Sequence, residues 1–129
     1  MTKLIAIVDD EQEMEFIYTL LMEKQINRGL IKLKFFSDSQ SFINWLSSNT
    51  PELILIDINM PHLDGPSVIK LVKKSERSIP TYFVSGYDEA DFKKIMRELG
   101  VYRFISKPFN FNNVLGLIEL DLGILAANL

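Results

Sequence analysis

Five short apolar, β-branched runs recur along the chain at nearly constant spacing, and this recurrence limits the fold more than any other feature. They begin near Leu4, Ile31, Leu53, Pro80 and Tyr102 and read LIAIV, IKLKFF, LILI, PTYFVS and YRFIS. The intervals of 27, 22, 27 and 22 residues each fit a strand, a helix and two loops. Between the runs lie longer stretches with helical spacing. After Asp10, Met14, Ile17, Tyr18 and Leu21 mark one apolar face. Phe42, Trp45 and Leu46 mark a second, with Asp38 or Ser39 as its cap. A third sets Val68, Ile69, Leu71 and Val72 against Lys70, Lys73 and Lys74. A fourth runs from a cap at Asp88 through Phe92, Ile95, Met96 and Leu99 to a stop at Gly100. The fifth starts near Asn110 and carries Val114, Leu115, Leu117 and Ile118.

Strands alternating with helices predict an α/β fold. The uninterrupted LILI run fits a central strand covered on both faces. Right-handed crossovers then give a doubly wound, five-stranded parallel sheet in the flavodoxin-like order 2-1-3-4-5, with helices on both faces. The 129 residues make one domain, 1–129, with a core over about 3–120 and an apolar C-terminal helix and tail to 129. A hydrophobic fraction of 47% fills one core of that size. A net charge of −3 argues against direct nucleic-acid binding, which needs clustered positive charge. With no cysteine, disulfides and thiolate metal sites are excluded. No apolar run approaches a membrane span, and the Leu4–Val8 run is too short for a signal peptide. A soluble, cytoplasmic protein is expected.

The informative residues are those that end each strand. The first run ends in Asp9-Asp10, the third in Asp57, the fourth in Ser85 and the fifth in Lys107. In a parallel sheet these ends share the carboxyl edge, where open α/β folds bind ligands. Strands one and three are neighbours in the 2-1-3-4-5 order, so Asp9, Asp10 and Asp57 converge. Close carboxylates raise one another's pKa and call for a cation. A few hard oxygen ligands with room for water and phosphate suit Mg²⁺ (or Mn²⁺). A carboxylate nucleophile, a divalent cation, an ammonium and a hydroxyl are the set that phosphoryl transfer requires.

The same residues resemble the receiver domain of two-component response regulators. The matching pieces are Val8-Asp9-Asp10-Glu11, Ile56-Asp57-Ile58-Asn59-Met60-Pro61 with Asp64-Gly65, Ser85-Gly86, and Lys107-Pro108-Phe109, in order and at the family's spacing. The resemblance implies that Asp57 accepts a phosphoryl group from a phosphohistidine donor. The donor would be a histidine kinase or a histidine-phosphotransfer protein. Asp10, Asp57 and the backbone carbonyl of Asn59 would ligate Mg²⁺, with Asp9 acting through bound water. Lys107, Ser85 and Gly86 would contact the phosphoryl group, and the Lys107-Pro108 bond would be cis. Ser85 and Phe104 would form the switch, with Phe104 turning inward to reshape the surface of the fourth helix, fifth strand and fifth helix. Asn59 and Tyr87 occupy the positions that tune phosphoryl lifetime, and a bulky Tyr87 is expected to lengthen it. The chain is then a signalling switch rather than an enzyme, acting on an effector protein or on an output domain outside this chain.

Several residues fall outside that pattern. Phe16 lies opposite the buried face of the first helix with Leu20 beside it, which predicts a docking surface for the phosphodonor. His62, on a loop, is read as solvent-exposed, and Trp45 as core. The acidic pair and the Arg that support charged dimers in winged-helix transcription factors are missing from the fifth strand and fifth helix. From Leu115 to Leu129 only Glu119 and Asp121 are charged, which predicts that this helix is covered by a partner or copy, or that the chain belongs to a longer regulator. A haloacid-dehalogenase-like phosphatase with an Asp nucleophile is the competing reading. It needs a second acid two residues after Asp57, where Asn59 stands. A flavin module would need a phosphate-cradling loop where Asp9-Asp10 stands.

Overall fold

A strand of alternating faces that is apolar throughout has to lie in the middle of a layered sheet, and LILID does. A computed structural model of the chain describes residues 1–58, 79–86, 97, 103–107 and 110–124. Strands β1 (Lys3–Val8), β2 (Ile31–Phe36), β3 (Leu53–Asp57), β4 (Thr81–Ser85) and β5 (Arg103–Ser106) form one sheet in the order β2-β1-β3-β4-β5. Every pairing is parallel. All residues of β3 and β4 are buried, whereas the edge strand β2 alternates and exposes Lys32 and Lys34. Charged lysines on an edge discourage pairing with another chain.

The helices are α1 (Glu13–Leu21), α2 (Glu23–Asn27), α3 (Ser39–Leu46) and α4 (Phe111–Leu122). The short α2 extends the first predicted helix past a break at Met22. Successive strand residues point to opposite faces and fill two cores. On one face Ile5, Ile7, Leu53, Leu55, Tyr82, Val84 and Ile105 pack with Met14 and Tyr18 of α1 and Val114, Ile118 and Leu122 of α4. On the other, Ala6, Val8, Ile54, Ile56 and Phe83 pack with Phe42 and Leu46 of α3. Trp45 is half-buried against this second core, its ring centroid 5.2 Å from that of Phe36.

The predicted starts shift by one residue at the first and fourth strands. The fourth strand begins at Thr81 because Pro80 has no N–H to give the ladder, although its carbonyl accepts from Ile54 N at 3.0 Å. The first begins at Lys3. Caps follow the expected chemistry. Asp38 accepts from Ser41 N at 2.7 Å to start α3, and this bond holds its carboxyl below the usual carboxylate range. Asp38→Ala is expected to lower stability through loss of the cap, read as a lower urea midpoint at unchanged slope. Asn110 accepts from Asn112 N at 2.9 Å and Asn113 N at 3.2 Å to start α4. Gly123, at φ 69°, closes α4 in the left-handed region that glycine enters without strain.

The third predicted helix, the caps at Asp88 and Gly100, and the tail 125–129 lie outside the described residues. Of the fourth predicted helix, Arg97 is described, as helical and exposed.

Candidate functional site at the carboxyl edge

Parallel register brings the strand ends together. Val8 lies opposite Ile56, Asp57 opposite Val84, and Ser85 opposite Ser106. Each strand therefore delivers its terminal polar residue to the same edge. Asp9 follows β1, Asp57 ends β3, Ser85 ends β4, and Lys107 follows β5.

Carboxylate oxygens of Asp9, Asp10, Glu11 and Asp57 all lie within 4.8 Å of one another. Asp9 and Asp57 are buried; Asp10 and Glu11 are exposed. Lys107 Nζ donates to Asp57 Oδ2 at 2.9 Å and lies 3.8 Å from Asp9 Oδ2. The lysine is tied to the neighbouring strand as well, its backbone N–H donating to Ser85 O at 2.7 Å. Asp9 Oδ1 accepts from Glu11 N at 2.9 Å, which fixes the turn into α1.

Burial is the largest influence on Asp9 and pushes its pKa up to about 6. The Glu11 N–H and Lys107 oppose that rise, while the charges of Asp57 and Glu11 add to it. For Lys107, burial acts downward, but the bond to Asp57 and the charges of Asp9, Asp57 and Glu11 outweigh it and raise its pKa. Tyr18, buried beneath the site, is pushed up by burial first and then by Asp9 and Asp57, so its hydroxyl stays protonated.

The donor set fits a hard divalent cation. Two buried and two exposed carboxylates share one small volume, and a single ammonium does not bring Asp9 back to an ordinary pKa. Among the described residues, four acids face one lysine at this edge, which leaves it negatively charged unless a second positive charge arrives.

The convergence expected of Asp9, Asp10, Asp57 and Lys107 is present. Ser85 is fully buried on the adjacent strand, and Gly86 is exposed just beyond it. Phe104 is half-buried against the α3-side core. Phe16 is 67% exposed and Leu20 54%, as the helical wheel of α1 requires. Asn59, His62, Tyr87, Tyr102 and the Lys107–Pro108 bond lie outside the described residues. Glu11 has a place in the cluster that its position in the sequence motif did not reveal. Its backbone N–H is held by Asp9 Oδ1 at the turn into α1.

The apolar face expected on the last helix has a different origin than missing charge. Glu119 is buried and accepts from Gln25 Nε2 at 3.3 Å, and Asp121 pairs with Arg103 at 2.6 Å. Both acids point inward. The outward positions are Asn112, Asn113, Gly116, Leu120 and Gly123, all uncharged, with Leu120 59% exposed.

Comparison with known proteins identifies the family and the fold. Residues 5–119 match the family model described as response regulator receiver domain. The chain is 26% identical over 115 residues to the DNA-binding transcriptional regulator NtrC of Proteus hauseri, covering 89% of this chain and 24% of that protein. It is 32% identical over 110 residues to the alkaline phosphatase synthesis transcriptional regulatory protein PhoP of Bacillus subtilis, covering 85% and 44%. The chain thus spans about a quarter of one relative and under half of the other. Its fold is that of a CheY-like receiver domain protein from Methanospirillum hungatei, with a TM-score of 0.83 at 20% identity over 95% of each chain. It also superposes on the BeF3-activated DrrB receiver domain with a TM-score of 0.80 at 19% identity, over 95% of this chain and 99% of that one.

Proposed function

The chain belongs to the response regulator receiver domain family, and from that premise we propose that Asp57 is its phosphoryl acceptor and that phosphorylation switches a protein-binding surface. The observation that carries this is the buried Asp57 carboxylate held by Lys107 at 2.9 Å inside a cluster of four acids. An Asp57 oxygen attacks phosphorus, the new O–P bond forms, and the N–P bond of a phosphohistidine breaks with its electron pair returning to the imidazole. Lys107 stays beside the acceptor to neutralise phosphoryl charge. Ser85, at the end of β4, supplies a hydroxyl to a phosphoryl oxygen, and Gly86 leaves the approach open. Asp10 and Asp57 with the Asn59 carbonyl would hold Mg²⁺ or Mn²⁺, with Asp9 one water further out. The cation supplies neutralisation of the crowded carboxylates and of the incoming phosphoryl oxygens. Phe104 then repacks as Ser85 moves, and the surface around β5 changes.

The donor is a histidine kinase or histidine-phosphotransfer protein in the cytoplasm. No helix among the described residues is long and apolar enough to cross a membrane. The output is an effector protein or a further domain, and the neutral outward face of α4 suits contact with a second copy. A dimer built on charged contacts at β5 and α4 does not suit this chain, because Arg103 and Asp121 already pair within it. The test is acetyl phosphate with Mg²⁺, read by intact mass. One phosphoryl group per chain is expected; multiple turnover of small phosphoesters would instead support a phosphatase.

Phe16 and Leu20 form the donor's docking patch. Phe16→Glu with Leu20→Glu is expected to slow transfer from the cognate phosphohistidine protein at least tenfold or so while leaving acetyl phosphate kinetics unchanged. Equal slowing of both reactions would remove the docking role. Asn59 and Tyr87 set the lifetime of the aspartyl phosphate. Tyr87→Ala is expected to shorten it severalfold by admitting in-line water, measured as loss of the phosphoryl mass with time.

A further inference from the structure

A polar cluster links β4, β5 and α4 on the sheet face opposite Phe104. Asp121 of α4, its side chain 5% exposed, receives Arg103 Nε at 2.6 Å on Oδ2 and Arg103 Nη2 at 2.9 Å on Oδ1. Tyr82 Oη donates to the same Oδ2. The phenol is buried in the α1–α4 core, and burial followed by the Asp121 bond pushes its pKa up, so it remains a donor. One carboxylate on the helix thus grips two neighbouring strands at once.

The placement of these residues is informative. Tyr82 lies opposite Arg103 in the β4–β5 ladder, and the next pair along is Phe83 opposite Phe104. Successive residues alternate faces, so the two pairs sit back to back across the sheet. Ser85 is three residues beyond Tyr82 on the same strand, and its carbonyl holds the backbone of Lys107 at 2.7 Å. A bidentate Arg–carboxylate pair tolerates little sliding, since each N–H···O bond weakens beyond about 3.2 Å. Any relative shift of β4 and β5 that accompanies engagement of Ser85 and Lys107 therefore strains or relaxes the grip on Asp121.

We propose that the Tyr82–Asp121–Arg103 cluster is a joint through which α4 senses the state of the acceptor site. It is separate from the repacking of Phe104, which acts on the other face of the sheet. The joint gives the acceptor site a route to the C-terminal helix that does not pass through Phe104. It rests on Asp57 being the phosphoryl acceptor. Coupling is reciprocal: if occupancy of the site alters the hold on α4, weakening that hold alters affinity at the site by the same factor.

The test is amide hydrogen exchange over residues 114–122 with and without beryllofluoride and Mg²⁺, with binding of the mimic followed by fluorine NMR. In the wild type, exchange should change by at least about fivefold on binding. In Tyr82→Phe and Asp121→Asn the change should fall below about twofold, and the affinity for the mimic should shift by a matching factor. Tyr82→Phe removes a single hydroxyl and keeps the ring packed, so it reports even where Asp121→Asn folds poorly. Glu119→Gln alters the other inward acid of α4 and should respond as the wild type does. Wild-type-like responses in both joint variants, loss of the response in Glu119→Gln as well, or a wild type that binds the mimic without change in α4 would each overturn the joint alone. A wild type that fails to bind the mimic would overturn the acceptor reading and the joint with it.

Discussion

Asp57→Asn is expected to end phosphorylation while leaving the domain folded. Treated with acetyl phosphate and Mg²⁺, the wild type gains one phosphoryl group, and the variant gains it at least about a thousandfold more slowly. The carboxamide has no anionic oxygen to attack phosphorus and is a poorer cation ligand. Removing one member of a crowded acidic cluster also relieves repulsion. Lys107 loses its partner at 2.9 Å but keeps Asp9 nearby, at 3.8 Å in the wild type. The lost pairing and the relieved repulsion oppose each other, so stability should change little, read as a nearly unchanged urea midpoint. An undiminished mass gain in the variant would move the acceptor elsewhere. A large loss of stability would show that the Asp57–Lys107 pair supports the fold more than the chemistry.

The legibility of this site follows from the parallel sheet. Once β1, β3, β4 and β5 are read as strands of one hand, their last residues have to meet at one edge, and Asp9, Asp57, Ser85 and Lys107 are those residues. Exposure on α1 was legible for a similar reason, because the 3.6-residue period fixes Phe16 away from Met14 and Tyr18. What the sequence hid were partnerships between distant segments. In the sequence, Asp121 and Glu119 are simply the two charges of an otherwise apolar stretch. Their targets, Arg103, Tyr82 and Gln25, lie on other elements, and nothing in local spacing shows that a charge faces inward. Glu11 was hidden differently, because adjacency to Asp10 in sequence does not say whether its carboxylate joins the cluster, and it does. The one-residue offset at Pro80 reflects a competition between apolar character and the missing N–H, which the backbone decides.

The crowding at the site has a cost that pH exposes. Asp9 titrates at about 6 in the fold and at 3.8 as an ordinary carboxyl, chiefly because it is buried. The folded state holds this proton more tightly than the unfolded chain does, so stability is greatest below pH 3.8 as far as Asp9 is concerned and is lost as pH rises through 6. The interval between the two values, at about 1.4 kcal/mol per pH unit, corresponds to a loss of about 3 kcal/mol once Asp9 is ionised in both states. Asp9→Asn abolishes that titration, and its amide oxygen can still accept from Glu11 N. Without divalent cation, the variant should exceed the wild type by about 3 kcal/mol in urea unfolding at pH 8, with the difference vanishing towards pH 4. Mg²⁺ should narrow the gap at pH 8 by stabilising the wild type more than the variant, since binding to the folded state alone adds stability by mass action. A variant less stable than the wild type at pH 8 without cation would mean that Lys107 compensates Asp9 fully. The need for a second cation at this edge would then disappear.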